Sequence, residues 1–199
     1  MNARKLIPAA ALSVLAATAP AMAHTGVGAT HGFVHGFMHP VSGVDHILAM
    51  VAVGLFAAHL GGRALWLVPA TFVAIMAAGG AIGMSGFGIP YVETGIGLSV
   101  LVLGLVLMAR IAPPVGVAMG LVGFFAIFHG HAHGAEMPAD ASGLAYGLGF
   151  IAATALLHAA GVGLGVVLGK AGSQVSTPLA RVGGGAMALA GVGLLAGWL

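Results

Sequence analysis

The chain contains no cysteine, which excludes disulfide bridges and thiolate metal ligands alike. Charge is nearly as scarce. Asp, Glu, Lys and Arg make up 5% of the 199 residues, against roughly 25% in an ordinary soluble domain. Six basic and four acidic residues leave no basic stripe of the kind that tracks a nucleic-acid backbone. A phosphate-binding loop is missing too: Gly169-Lys170 is followed by Ala171, and Leu164 stands where the upstream glycine belongs. ATP therefore does not drive this chain directly.

What remains is apolar. Hydrophobic residues account for 60% of the chain and mean hydropathy is +1.12, so there is too little charge to cover a water-exposed surface. Continuous apolar runs in lipid must satisfy their backbone groups internally, which selects helices. The alternating pattern of a membrane β-barrel is absent. The expected fold is all-α, a polytopic membrane helix bundle of six transmembrane helices after a cleavable signal peptide. Residues 1–23 read as that peptide: Arg4 and Lys5 form its basic end, Leu6 to Ala19 its short apolar core, and Ala21-Met22-Ala23 its small-x-small cleavage site. Cleavage would leave His24 as the mature N-terminus. Residues 24–199 then form one transmembrane domain with spans at about 33–60, 64–85, 91–111, 114–130, 143–169 and 180–198.

The few charges orient these spans. With the mature N-terminus outside, the links at 61–63, 110–113 and 170–181 face the cytoplasm and hold Arg63, Arg110, Lys170 and Arg181. The outer link at 131–142 carries Glu136 and Asp140 and no Lys or Arg. Every basic residue of the mature chain thus lies inside. The expected location is the bacterial inner membrane, with both mature termini periplasmic. Glycine supplies 35 residues, many four apart: Gly116/Gly120, Gly143/Gly147, Gly161/Gly165/Gly169 and Gly193/Gly197. Such spacing lets helix backbones approach closely in lipid. The favoured reading is tight contact within one chain, and a homo-oligomer stays open.

Ionisable groups within membrane helices are costly and mark function by default. Here they gather towards the outer face. The stretch His31–Met50, HGFVHGFMHPVSGVDHILAM, would place His31, His35, His39, Ser42, His46 and Met50 on one helical stripe, with Asp45 on its flank. Pro40 is expected to disturb that helix and turn His39 inward. Glu93 begins the third span, and His129, His131, His133 and Glu136 end the fourth. Imidazole and carboxylate together suit a divalent transition metal. Asp45 is either a direct ligand or the partner that fixes a histidine tautomer.

Two motifs carry a family resemblance. HPVSGVDHILAMVAVGLFA, His39 to Ala57, resembles the first-helix signature of the HupE/UreJ family, and FHGHAHGAE, Phe128 to Glu136, is similar to its second histidine motif. The resemblance implies an inner-membrane nickel permease serving nickel enzymes such as hydrogenase or urease. It implies no enzyme activity and no permanently bound cofactor. Ni²⁺ would be the transported substrate, with Co²⁺ a second candidate. Ligand or pathway roles carry over to His39, Asp45, His46, His129, His133 and Glu136. Around them, His24, His31 and His35 are either an outer capture set or a solvated tail. His131 is either a surface ligand or loop, and Met50 is read first as packing. His158, about 20 Å along its helix, is either a deeper relay or a core histidine bonded to Thr154. His59 marks either an exit or the inner interface.

Two readings from other classes compete. One is an intramembrane metal-dependent hydrolase in which Ser42, Asp45, His46 and a metal activate water, and the other is a periplasmic metal sensor or chaperone. Because protons and metal compete for imidazole, uptake is expected to fall as external pH drops through about 6. Radiolabelled nickel influx measured across external pH checks this. Acid-insensitive influx would remove the histidines as rate-determining ligands.

Overall fold

The computed structural model describes residues 32–137 and 143–199. The expected signal peptide, His24, His31 and Asp140 lie outside the described residues. Every regular element among the described residues is helical: α1 (Gly32–Ser42), α2 (Val44–Leu60), α3 (Ala64–Met84), α4 (Val92–Ala109), α5 (Val115–Ala135), α6 (Gly143–Lys170) and α7 (Ser173–Leu195). Helices α3 to α7 are each long and apolar enough to cross a membrane. Taken as one broken span, α1 and α2 make a sixth, bent by 81°.

That bend corrects the expected first span. The chain breaks at Gly43, whose φ of −95° and ψ of 125° are extended, and not at Pro40, which is buried inside α1. Ser42 helps end α1 by donating its hydroxyl proton to the His39 carbonyl at 2.8 Å, a side-chain bond that competes with helix continuation. A Cβ at position 43 would press on the Asp45 carboxylate at 2.7 Å, so the missing side chain leaves room for that group. The single stripe through His31–Met50 therefore does not exist. His35 and His39 ride on α1, whereas Asp45, His46 and Met50 ride on α2.

Two further boundaries differ from expectation. Helix α5 runs on to Ala135, so His131 and His133 are helical and buried instead of lying in an outer loop. Helix α7 starts at Ser173, so Arg181 lies within a helix and not in a link. At the C-terminal end of α4, Arg110 adopts a left-handed conformation (φ 55°). Its N–H donates to Leu107 and that of Ile111 to Val106. This closes the helix before Pro113-Pro114 without the usual glycine.

Helix pairing fixes the bundle: α3 lies along α5, α4 along α7, and α1 and α2 both along α6. Glycine makes these approaches close. A Cβ at Gly130 or Gly134 would collide with the carbonyls of Met76 or Gly80, and one at Gly54 or Gly161 with those of His158 or Val51. Without water to expel, van der Waals contact and backbone proximity drive such pairing in lipid. Some of the expected glycine pairs do not serve this purpose. Gly116 and Gly120 face open space, as do Gly147 and Gly169, whereas Gly161 and Gly165 are packed. The interior is filled by Met50, Val53, Phe56, Phe72, Met76 and Leu103. Exposed Trp66, Phe124, Leu144 and Leu189 give the outside its apolar character.

Gly130→Ala is expected to destabilise the bundle by about 1–3 kcal/mol through overpacking. Gly120→Ala, facing open space, should stay within about 1 kcal/mol of the parent. Thermal unfolding in detergent compares the two.

Candidate metal centre

The break at Gly43 brings the N-terminal end of α2 against the last turns of α5. His129 and His133 are four residues apart and therefore share a face of α5. That face meets His46 in the first turn of α2. His133 Nε2 lies 2.5 Å from His46 Nε2, and His129 Nδ1 lies 3.1 Å from the same atom. The rings cross nearly edge to face, with centroids 4.2 Å and 4.7 Å apart. His46 is thus the middle of a row of three imidazoles contributed by two helices.

Hydrogen bonds on the far sides of two rings set where their lone pairs point. His46 Nδ1–H donates to Asp45 Oδ2 at 3.2 Å, which leaves Nε2 bare. The Ser99 hydroxyl gives its proton to the Ile96 carbonyl at 2.6 Å. Its oxygen therefore accepts from His129 Nε2–H at 2.9 Å, which leaves His129 Nδ1 bare. Two unprotonated nitrogens then face each other across 3.1 Å. Neighbouring imidazole ligands at about 2.0–2.1 Å from one ion have nearly this separation. Asp45 consequently acts on His46 from behind, the arrangement in which an outer partner fixes tautomer and raises ligand basicity.

A second group sits further out. Ligand atoms of His39, His133 and Glu136 all lie within 4.8 Å of one another. His39 Nε2 is 3.5 Å and His133 Nδ1 is 3.9 Å from Glu136 Oε2. Side-chain exposure falls from 44% at Glu136 through 17% at His39 and 7% at His133 to 3% at His46. His129 is fully buried. The donors therefore form a path from the surface into the bundle, and His133 belongs to both groups. Phe150, whose ring is 4.5 Å from that of His133, walls the path on the α6 side.

The remaining candidates lie elsewhere. Glu93 is exposed on the first turn of α4 and is not among the ligand atoms that meet. His35 sits one turn outward of His39, with its ring 5.8 Å from that of Tyr146. His131 points away from its two neighbours. It is 6% exposed, and its Nε2 lies 2.7 Å from the Phe87 carbonyl, which ties the 85–91 connection to α5. It is neither a surface ligand nor solvated loop. Met50 is fully buried in the core. His158 is buried below the cluster and is not bonded to Thr154, whose hydroxyl donates to Met76 Sδ at 3.7 Å. Sequence reasoning missed Ser99 and Phe150. Ser99 had a signal, a hydroxyl in the middle of an apolar run; an aromatic wall has none.

Comparison with known proteins identifies the family. A family model described as HupE / UreJ protein matches residues 12–194. Protein HupE of Rhizobium leguminosarum bv. viciae is 50% identical over 187 residues, covering 94% of this chain and 95% of that protein. No solved structure matches. Matched along nearly its whole length, with both histidine motifs inside the match, the chain belongs to the HupE/UreJ family.

Proposed function

We propose that this chain is a permease that carries a divalent transition metal, Ni²⁺ foremost and Co²⁺ as a second cargo, inward across the bacterial inner membrane to supply nickel enzymes such as hydrogenase or urease. The observation that carries the reading is the graded row of donors from Glu136 and His39 through His133 to His46 and His129. A resident structural metal needs one closed set of ligands. A row in which His133 is shared between two groups suits an ion that moves.

The outer trio captures the hydrated ion, since Glu136 supplies charge where water is still present. Imidazoles then replace some of its waters. His46 and His129 present bare nitrogens and no carboxylate, so the ion is held by neutral donors and released without breaking a buried ion pair. Conduction requires sites that bind well enough to admit the ion and weakly enough to let it leave. The inside-negative potential favours inward movement of a divalent ion by roughly 4.6 kcal/mol per 100 mV, twice the single-charge value. That field can drive facilitated diffusion without ATP. With the basic ends inside, the cluster faces the periplasm and both mature termini lie there. The hydrolase reading gains no support: the Ser42 hydroxyl gives its proton to the carbonyl of His39 on its own helix.

Radiolabelled nickel uptake into proteoliposomes tests the proposal. His46→Ala should abolish influx, and Asp45→Asn should weaken nickel binding by about 10–100-fold, as loss of a ligand's outer partner does. Calorimetric titration of the same proteins with Ni²⁺ gives the affinities. Wild-type protein that binds nickel but never moves it would replace the permease by a sensor or chaperone.

A further inference from the structure

Below the outer cluster the buried polar side chains among the described residues are Thr154 and His158. His158 on α6 is 2% exposed, and neither of its nitrogens has a hydrogen-bond partner. Buried polar groups are nearly always paired, and an unpaired one calls for an explanation. Thr154, one turn outward on the same helix, supplies none because its hydroxyl is directed at Met76 Sδ.

Between His158 and the outer imidazoles stands Phe72, fully buried on α3. Its ring centroid is 5.7 Å from that of His129 and 5.1 Å from that of His158, the latter pair crossing at 89°. Helix rise orders the three in depth. At about 1.5 Å per residue, His129 lies about 9 Å below the outer end of α5, Phe72 about 18 Å below that of α3, and His158 about 22 Å below that of α6. A cavity of about 410 Å³ lined by His59, Arg110, Leu164 and Gly165 begins about 10 Å further along α6. By depth along α6, His158 thus lies between the outer cluster and that cavity, and its ring lines a separate groove between α3 and α6 with Pro69, Val73 and Val162.

We infer that His158 is a second, inner binding station for the divalent ion and that Phe72 is the apolar septum dividing it from the outer cluster. The inference rests on the permease reading. His158 offers the same donor as His129, a neutral imidazole nitrogen, and its lack of a protein partner leaves that nitrogen available to the ion. Phe72 offers no ligand atom, so an ion at His129 reaches His158 only when the ring swings aside. Hydrophobic constrictions of this kind hold back hydrated ions. Two stations divided by a movable ring let the ion advance in steps without an open water path across the bundle.

The test uses the full chain in proteoliposomes containing a metal-responsive dye, with Ni²⁺ and Mg²⁺ as probes, and equilibrium dialysis for bound Ni²⁺. His158→Phe keeps a buried ring of similar shape. It is expected to lower nickel influx about tenfold or more while leaving outer-cluster affinity within about twofold. Phe72→Ala is expected to raise nickel influx and to admit Mg²⁺. Wild-type influx in His158→Phe overturns the inner station, and unchanged Ni²⁺ and Mg²⁺ flux in Phe72→Ala overturns the septum. If His158→Phe loses outer affinity through misfolding, His158→Gln is judged by the same influx criterion. Absence of influx in wild-type vesicles that do bind nickel overturns the permease reading itself, which separates that failure from this one.

Discussion

The meeting of His46 Nε2 with His129 Nδ1 is the contact around which the candidate site is arranged. Asp45 accepts the proton on one side of the first ring, and the Ser99 oxygen, with its own proton committed to the Ile96 carbonyl, accepts the proton on the far side of the second. In these tautomers two unprotonated nitrogens lie 3.1 Å apart in a buried place, with His133 Nε2 also within hydrogen-bond distance of the first. In low dielectric such a juxtaposition is unfavourable as it stands, and a cation between the two nitrogens converts it into two bonds. In the proposed site, affinity for an ion would therefore be built partly from groups that need not touch that ion. Asp45 and Ser99 do their part from behind.

Holding two rings at that distance requires helices that cannot drift. Helix α5 carries His129 and His133, and it is held to α3 where Gly130 and Gly134 take the carbonyls of Met76 and Gly80 against their backbone. The glycines are interleaved with the ligands in sequence, so one stretch of α5 both grips α3 and aims imidazole at α2. On the other side, α2 is held to α6 through Gly54 and Gly161. The bend at Gly43 then sets the level at which α1 ends and His46 begins. Close backbone contact in lipid is the energetic basis of the fold, and here it also sets the geometry of the donors.

Much of this was legible in the sequence, for reasons that can be stated. Long apolar runs admit few structures in lipid, so the helices could be read directly. His39 and His46 on one run and His129, His131 and His133 on another are expected to meet in a small bundle, and His46 and His129 do. Three features were not legible. The break after Ser42 depends on a hydroxyl bonding back to its own helix and on the space Asp45 takes up, whereas Pro40, the obvious breaker, is accommodated. The opposite aim of His131 follows from α5 continuing past residue 130, which local composition does not announce. The glycines of the tight seams are single residues matched to a carbonyl on another helix. The regularly spaced Gly116 and Gly120 have no such partner.

The distribution of charge along the donor row gives the proposed direction of travel its physical sense. Glu136, the carboxylate among the outer ligand atoms, is also the most exposed of them. There the desolvation of an ion is least complete, and a full negative charge is cheapest to maintain. Deeper in, a direct carboxylate ligand would bind a divalent ion in low dielectric too strongly for it to leave. The chain instead places Asp45 behind a neutral ring, so its charge polarises the imidazole while the ion is held by nitrogen. Successive sites thus become drier but not more anionic. In the proposed permease, an ion held this way would shed water and still be loose enough for the membrane field to move it on.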